Sequence, residues 1–113
     1  MLEHGYHLRG MALTEIARAL STSAASRFRL HGKGAIVEGG DGDLAIVNLD
    51  STYRLAAEDL FYRHPRSAYV GLRHRGRVTH TILRGTVVFE NGRPASRPAG
   101  RFLRPTGDAR LTM

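Results

Sequence analysis

The chain has 113 residues, no cysteine and a formal net charge of +7. That length allows one small domain with a modest core, and the lack of cysteine excludes disulfide staples, thiolate metal sites and thiol chemistry. No apolar run approaches the roughly 20 residues of a membrane span, and the opening MLEHGYHLRG is too polar for the apolar stretch of a signal peptide, so the expected location is the cytoplasm. The charge is uneven: residues 1–57 hold six basic and six acidic side chains, whereas 58–113 hold eleven arginines against four acids. A basic half of this kind suits a polyanion such as RNA, or an acidic surface on another part of a larger protein.

In chain order, the first periodic segment is Leu13, Ile16, Ala17 and Leu20, spaced as one face of a helix. Glu15 falls in its first turn, where a negative charge suits the helix dipole. Ser21, Thr22 or Ser23 is expected to end this helix and cap a second short one carrying Ala24, Ala25 and Phe28.

The stretch KGAIVEGGDGDLAIVN, Lys33 to Asn48, reads as a tight loop feeding a strand. Asp41 and Asp43 are short acceptors suited to holding such a turn. Leu44 to Val47 forms the strand, Asp50-Ser51 a connecting turn, and Thr52 to Ala56 a partner strand. One helical turn is expected at Ala57 to Leu60. RHPRSAYVGLRHRG, broken by Pro65, Gly71 and Gly76, is expected to be irregular. A hairpin follows: Arg77 to Leu83 alternates, Arg84-Gly85 leads into Thr86 to Glu90, and Asn91-Gly92 is a strong signal for a turn that needs positive φ at both residues.

These segments together resemble the end of a cyclic amidohydrolase of the amidohydrolase superfamily. Lys33 to Leu44 resembles the family's G-x-I-x-x-G-x-D-A-D-L motif, with Gly42 where alanine is usual. MALTEIARALSTSAASRFRL resembles its last barrel helix and the following S-T-N-P-A-R-x-F-G-L turn; Ser23, Ala24, Ala25 and Ser26 stand for Asn-Pro-Ala-Arg, and Arg29 replaces glycine. His64, Ser67, Tyr69 and Gly71 match the H-x-x-S-P-Y-x-G of allantoinase-like enzymes, with Ala68 in place of proline. Val78 to Gly92 is similar to the family's closing hairpin, and Gly100-Arg101-Phe102 to the tail of hydantoinases and allantoinases. The matches cover residues 8 to 105.

The resemblance implies an α+β, mainly β architecture. Residues 1–30 would hold the last barrel helix and a short helix after it. Residues 31–113 would be the C-terminal part of a composite β-sandwich, with its closing hairpin at 77–95 and a tail. The family's barrel needs about 250 residues, more than this sequence holds. Its enzymes, allantoinase, dihydropyrimidinase and hydantoinase, hydrolyse ring amides with two zinc ions. Their ligands, an H-x-H pair, a carboxylated lysine, two later histidines and an aspartate, fall before Met1 by this alignment of motifs. Lys33 belongs to the linker motif and is not the carboxylated lysine.

No residue is therefore assigned a catalytic, cofactor-binding or metal-ligating role: the catalytic, cofactor and metal sets are each none. His4 and His7 are three apart but lack a third ligand, and read as a solvated loop before the helix. His64, His74 and His80 lie among arginines that discourage a bound cation. Ser67 with His64 lacks an orienting acid, and Asp41 with Asp43 lacks the remaining ligands of a calcium loop. The expected partners are the missing barrel half or a second copy of the chain. The alternative, a basic module for RNA or another polyanion, would need Tyr53, Phe61, Tyr62, Tyr69 and Phe89 to act as stacking platforms, and these are not interleaved with arginines on one strand face.

Overall fold

The computed structural model describes residues 1–95 and 97–107. Its centre is a four-stranded antiparallel sheet in simple meander order: β1 (Leu44–Arg54), β2 (Arg73–Leu83), β3 (Thr86–Glu90) and β4 (Arg93–Pro94). Helical segments precede it, a 3-10 turn at Ala57–Asp59 follows β1, and residues 97–107 run without regular structure. No helix among the described residues is long and apolar enough to cross a membrane.

The expected break in the first helix does not occur. Leu13–Ala17 (α1), a wide π-type turn at Arg18–Thr22 and Ser23–Arg27 (α2) follow one another, with Ala17, Arg18, Thr22 and Ser23 all in the right-handed helical region. Polar residues favour a cap only where the backbone needs to turn. Here Thr22 instead donates its hydroxyl to the carbonyl of Gly34 at 2.8 Å, so packing against the following loop overrides the local preference. The run ends at Phe28 and Arg29. Arg29 takes φ 52°, the left-handed position that glycine fills most easily. The Leu30 N–H then bonds back to Ala25 O at 2.9 Å.

The second correction concerns β1. Asp50-Ser51 is no hairpin turn; the strand continues from Leu44 to Arg54 and pairs with β2 along its length. Asn48 faces Arg77 and Thr52 faces Arg75, so Leu49, Asp50 and Ser51 form a bulge opposite Gly76. Asn48 Oδ1 accepts the N–H groups of Asp50 and Ser51 at 3.0 and 3.1 Å, which gives the turn chemistry of this segment a place inside a strand. β2 accordingly begins at Arg73, inside the stretch expected to be irregular. Gly76 is buried at φ 103°, and an added Cβ would lie 2.7 Å from Leu2 Cβ.

Leu2 belongs to a third departure, a wide helical turn at Leu2–His7 where a solvated loop was expected. It is held on the bulge: Glu3 Oε2 accepts the Arg75 N–H at 2.6 Å, and His7 Nε2 meets Leu49 O at 2.6 Å. The hairpin turns follow the sequence closely. Arg84-Gly85 (φ 45° and 81°) and Asn91-Gly92 (φ 46° and 85°) both take positive φ at both residues.

Burial is sparse. Among the described residues the buried hydrophobic side chains are Ile16 and Ala25. Leu13 and Leu20, on the same predicted face as Ile16, are exposed, Leu20 by 60%. On the sheet, Leu44 faces Ile82 and Ile82 faces Val87, an apolar row across three strands of which Leu44 and Val87 remain exposed. Cross-strand partners share a face, and only the central Ile82 of this row is half-buried.

Candidate functional site

The densest cluster of charged groups is a clasp between the loop before β1 and the turn after β2. The loop brings Lys33 back beside its own end, with Asp41 N–H donating to Gly32 O at 2.9 Å and Asp43 N–H to Asp41 O at 2.9 Å. Lys33 Nζ is paired with Asp41 at 2.8 Å and also with Asp43, and its side chain is only 12% exposed. Asp43 Oδ1 accepts the Arg84 N–H at 2.9 Å, Gly85 N–H donates to Gly42 O at 2.9 Å, and the Arg84 guanidinium reaches Ala99 O.

The electrostatics follow from these bonds. The carboxylates of Asp41 and then Asp43 push the Lys33 ammonium above its ordinary pKa. The Lys33 ammonium, and after it the Arg84 N–H, hold the Asp43 carboxyl below its ordinary pKa. A lysine so held is fully protonated at neutral pH and has no lone pair to offer as base or nucleophile. The cluster fixes geometry: it joins loop, turn and tail. Asp41 and Asp43 therefore do hold the loop as expected, but through Lys33 and a turn some forty residues away, a partnership that local spacing does not reveal.

The histidines are dispersed. His7 is held to Leu49 O while His4 is exposed. His74 lies beside the rings of Tyr53 and Tyr69, at 5.5 and 6.3 Å between centroids. His80 sits between Thr79 Oγ1 at 2.9 Å and Glu90 Oε1 at 3.5 Å, its cross-strand neighbour. Ser67 Oγ accepts the Tyr69 N–H at 3.1 Å, a local turn bond. Among the described residues no three His, Asp or Glu side groups converge to hold a metal ion.

A shallow cleft of about 210 Å³ opens between Tyr53, Leu55, Phe61, Arg77, Val78 and Phe89. Arg77 lies over the Tyr53 ring, 5.1 Å from its centroid. Sequence reasoning missed this pairing, because the bulge in β1 and the unusual backbone at Gly76 reset which side groups meet.

The comparisons with known proteins agree with the motifs. The chain is 54% identical over 105 residues to an allantoinase of Rubrobacter xylanophilus, covering 93% of this chain and 23% of that protein. An allantoinase of Desulfitobacterium hafniense is 46% identical over 105 residues, with the same coverage. The fold superimposes on L-hydantoinase (dihydropyrimidinase) from Arthrobacter aurescens with a TM-score of 0.80 and 29% identity, covering 84% of this chain and 21% of that one. Dihydropyrimidinase from Brevibacillus agri, at 21% identity and a TM-score of 0.76, shares the fold. No family model matches the sequence.

A small antiparallel sheet with preceding helices, shared with hydantoinases and allantoinases, places the chain in the cyclic amidohydrolase family, where its extent fits the C-terminal segment. Within that family the sequence is similar to allantoinases. It spans 23% of the length of these relatives.

Proposed function

We propose that the chain is the C-terminal structural segment of a metal-dependent hydrolase acting on cyclic amide C–N bonds, allantoinase-like, and that it is inactive by itself. In this reading the sheet is one layer of a composite β-sandwich and α1 packs against the barrel. The zinc ligands and the ring-binding loop lie in the three-quarters of the enzyme that this segment does not match. The two-zinc centre would supply the hydroxide, and the segment would supply stability to the scaffold around it.

The observation that carries the reading is the contrast between a well-formed backbone and an uncovered interior. The sheet is paired on both sides of its bulges and closes through two tight turns, yet Leu44, Ile46, Val78 and Val87 are exposed and only Ile16 and Ala25 are buried hydrophobics among the described residues. Covering ~500 Å² of such surface at ~25 cal/mol per Å² corresponds to about 12 kcal/mol before the entropy lost on association. The long edge of β1 is also a template for a further strand.

Sedimentation of the purified protein at micromolar concentration, paired with elemental analysis and an allantoin-hydrolysis assay, tests this reading. The expected outcome is self-association, or solubility only with the remaining part of a related allantoinase, with no retained zinc and no hydrolysis. A stable monomer with cooperative unfolding, or one tightly held zinc per molecule, overturns it. Co-purified nucleic acid would point to the polyanion reading instead.

A further inference from the structure

Asn91 and Gly92 form the exposed turn between β3 and β4, and three features of their surroundings bear on its chemistry. First, β4 is two residues long and its second residue, Pro94, has no N–H to add to the ladder. Past β4 the Ala95 N–H bonds Val88 O at 2.8 Å, so the turn is anchored on that side by a few bonds, and such short elements open locally at small cost. Second, among the described residues the Gly92 N–H meets no backbone carbonyl, and glycine has no side group to shield it. Third, a cation stands beside it: apart from Gly92 and its two chain neighbours, the heavy atom nearest the position of an added Cβ on Gly92 is Arg77 Nη2, at 3.6 Å. Stacking on Tyr53 holds that guanidinium in place. Glu90 and Arg93 flank the turn, Glu90 being drawn toward His80 at 3.5 Å.

We propose that Asn91-Gly92 is a site of spontaneous covalent modification, with Arg77 as its promoting neighbour. The Gly92 backbone nitrogen loses its proton and attacks Asn91 Cγ. The new bond from that nitrogen to Cγ closes a five-membered succinimide as the bond between Cγ and Nδ2 breaks, and Nδ2 leaves as ammonia carrying the transferred proton. One water then opens the ring at either carbonyl, leaving aspartate or isoaspartate at position 91. No oxidant or cofactor is needed. The Arg77 cation favours the deprotonated nitrogen and the developing oxyanion, and afterwards faces the new carboxylate. Isoaspartate adds a methylene to the backbone, which the two-residue turn cannot accommodate. Modification therefore releases β4 from β3.

The molecule holds its own control. Its other asparagine, Asn48, precedes Leu49, whose side group hinders attack, and its Oδ1 is already engaged by the Asp50 and Ser51 N–H groups. The intact protein is incubated at mildly alkaline pH and physiological temperature. The tryptic peptide Gly85 to Arg101, uncut at Arg93 and Arg97 because each precedes proline, is then separated into asparaginyl, aspartyl and isoaspartyl forms by chromatography and mass. The proposal expects conversion at Asn91 while Asn48 stays intact. Arg77→Gln is expected to slow conversion by about fivefold, the effect of one unit charge at contact distance near water, and Arg77→Lys to retain most of the rate. The turn's integrity in each variant is read from the Asn91 amide signal, whose N–H donates to Thr79 O at 2.8 Å. Asn91 persisting as long as Asn48 overturns the site. Arg77→Gln converting as fast as the parent with the turn intact, or faster with the turn open, overturns the role of Arg77.

Discussion

Where the 32–43 loop meets the turn after β2, every charged group named has a partner within the protein: Lys33 has Asp41 and Asp43, Asp43 has the Arg84 N–H, and Arg84 has Ala99 O. On the sheet face a short distance along β1, Leu44 and Ile46 stand exposed beside residues that ought to lie in a core. The two regions obey different demands. A polar contact must be completed locally, because an unpaired polar group costs free energy wherever it is later buried. An apolar face can wait for cover, since the hydrophobic effect is non-directional and any complementary surface serves. The segment thus fixes its own geometry through polar bonds and tight turns, and leaves burial to contacts beyond it.

The largest expected effect breaks the contact on which the loop rests. Gly34 sits at φ 91°, and a Cβ there would come within 2.5 Å of Ala25 Cβ and 3.2 Å of Ser21 O. Gly34→Val adds overpacking to a strained backbone, and is expected to cost about 3 kcal/mol or more. Comparing urea midpoints at matched protein concentration checks it. A loss under about 1 kcal/mol would mean that the loop does not rest on the helix.

The next test separates the clasp from the faces by pH. Asp43 titrates below its ordinary value in the folded protein, so its contribution is present above the unfolded value, about 3.9, and fades as pH falls through the folded one. Lys33 titrates above its ordinary value, so its contribution is present below about 10.4 and fades as pH rises through the folded one. The clasp is therefore at full strength across the neutral range. Lys33→Met is expected to lower the unfolding midpoint near neutrality and to flatten its decline in acid, while apolar association measured by sedimentation is unchanged. An acid limb as steep in the variant as in the parent would remove Lys33 as its source.

How much of this was legible in the sequence divides along the same line. Asn91-Gly92 demands positive φ by its composition, and the structure has it. Ile16 was readable from helical spacing and is buried. The bulge was not readable: Asp50-Ser51 has turn chemistry, and only the pairing of β1 with a strand some twenty residues later decides that the turn lies within a strand. Nor was the helix through Ser21 to Ser23, where packing on Gly34 overrides capping residues. The clasp was half legible, since Asp41 and Asp43 announce a held loop but not the Arg84 turn that holds it. Local rules read local bonds, and long-range register is set by partners outside the local window.

A smaller effect, of opposite sign, is expected at the helix end. Arg29 occupies the left-handed position where the family's motif has glycine, and its carbonyl accepts both the N–H and the hydroxyl of Thr106, at 2.8 and 3.0 Å. Arg29→Gly keeps both backbone bonds and relieves the clash of Cβ with the residue's own carbonyl. Glycine also has more freedom to lose on folding, which offsets part of the gain. The expected net is a stabilisation of about 0.5–1 kcal/mol, read as a higher urea midpoint with an unchanged slope. A lower midpoint would show that the arginine side group itself holds the tail.

The smallest effect is expected at Ser67, and it tests whether a matched motif residue matters outside its full enzyme. The hydroxyl makes one exposed bond, accepting the Tyr69 N–H at 3.1 Å. Water can take that place when the residue is shortened, so only the modest preference of serine for such turns is lost. Ser67→Ala is expected to change stability by no more than about 0.5 kcal/mol. The same substitution in the intact allantoinase relative provides the sharper comparison. If it is silent there too, the serine serves the loop alone. A loss of catalytic rate at unchanged stability in the relative would instead show that the segment reaches the substrate side of the enzyme through this loop, and the division into a finished polar framework and an apolar face awaiting cover would need a third, catalytic surface.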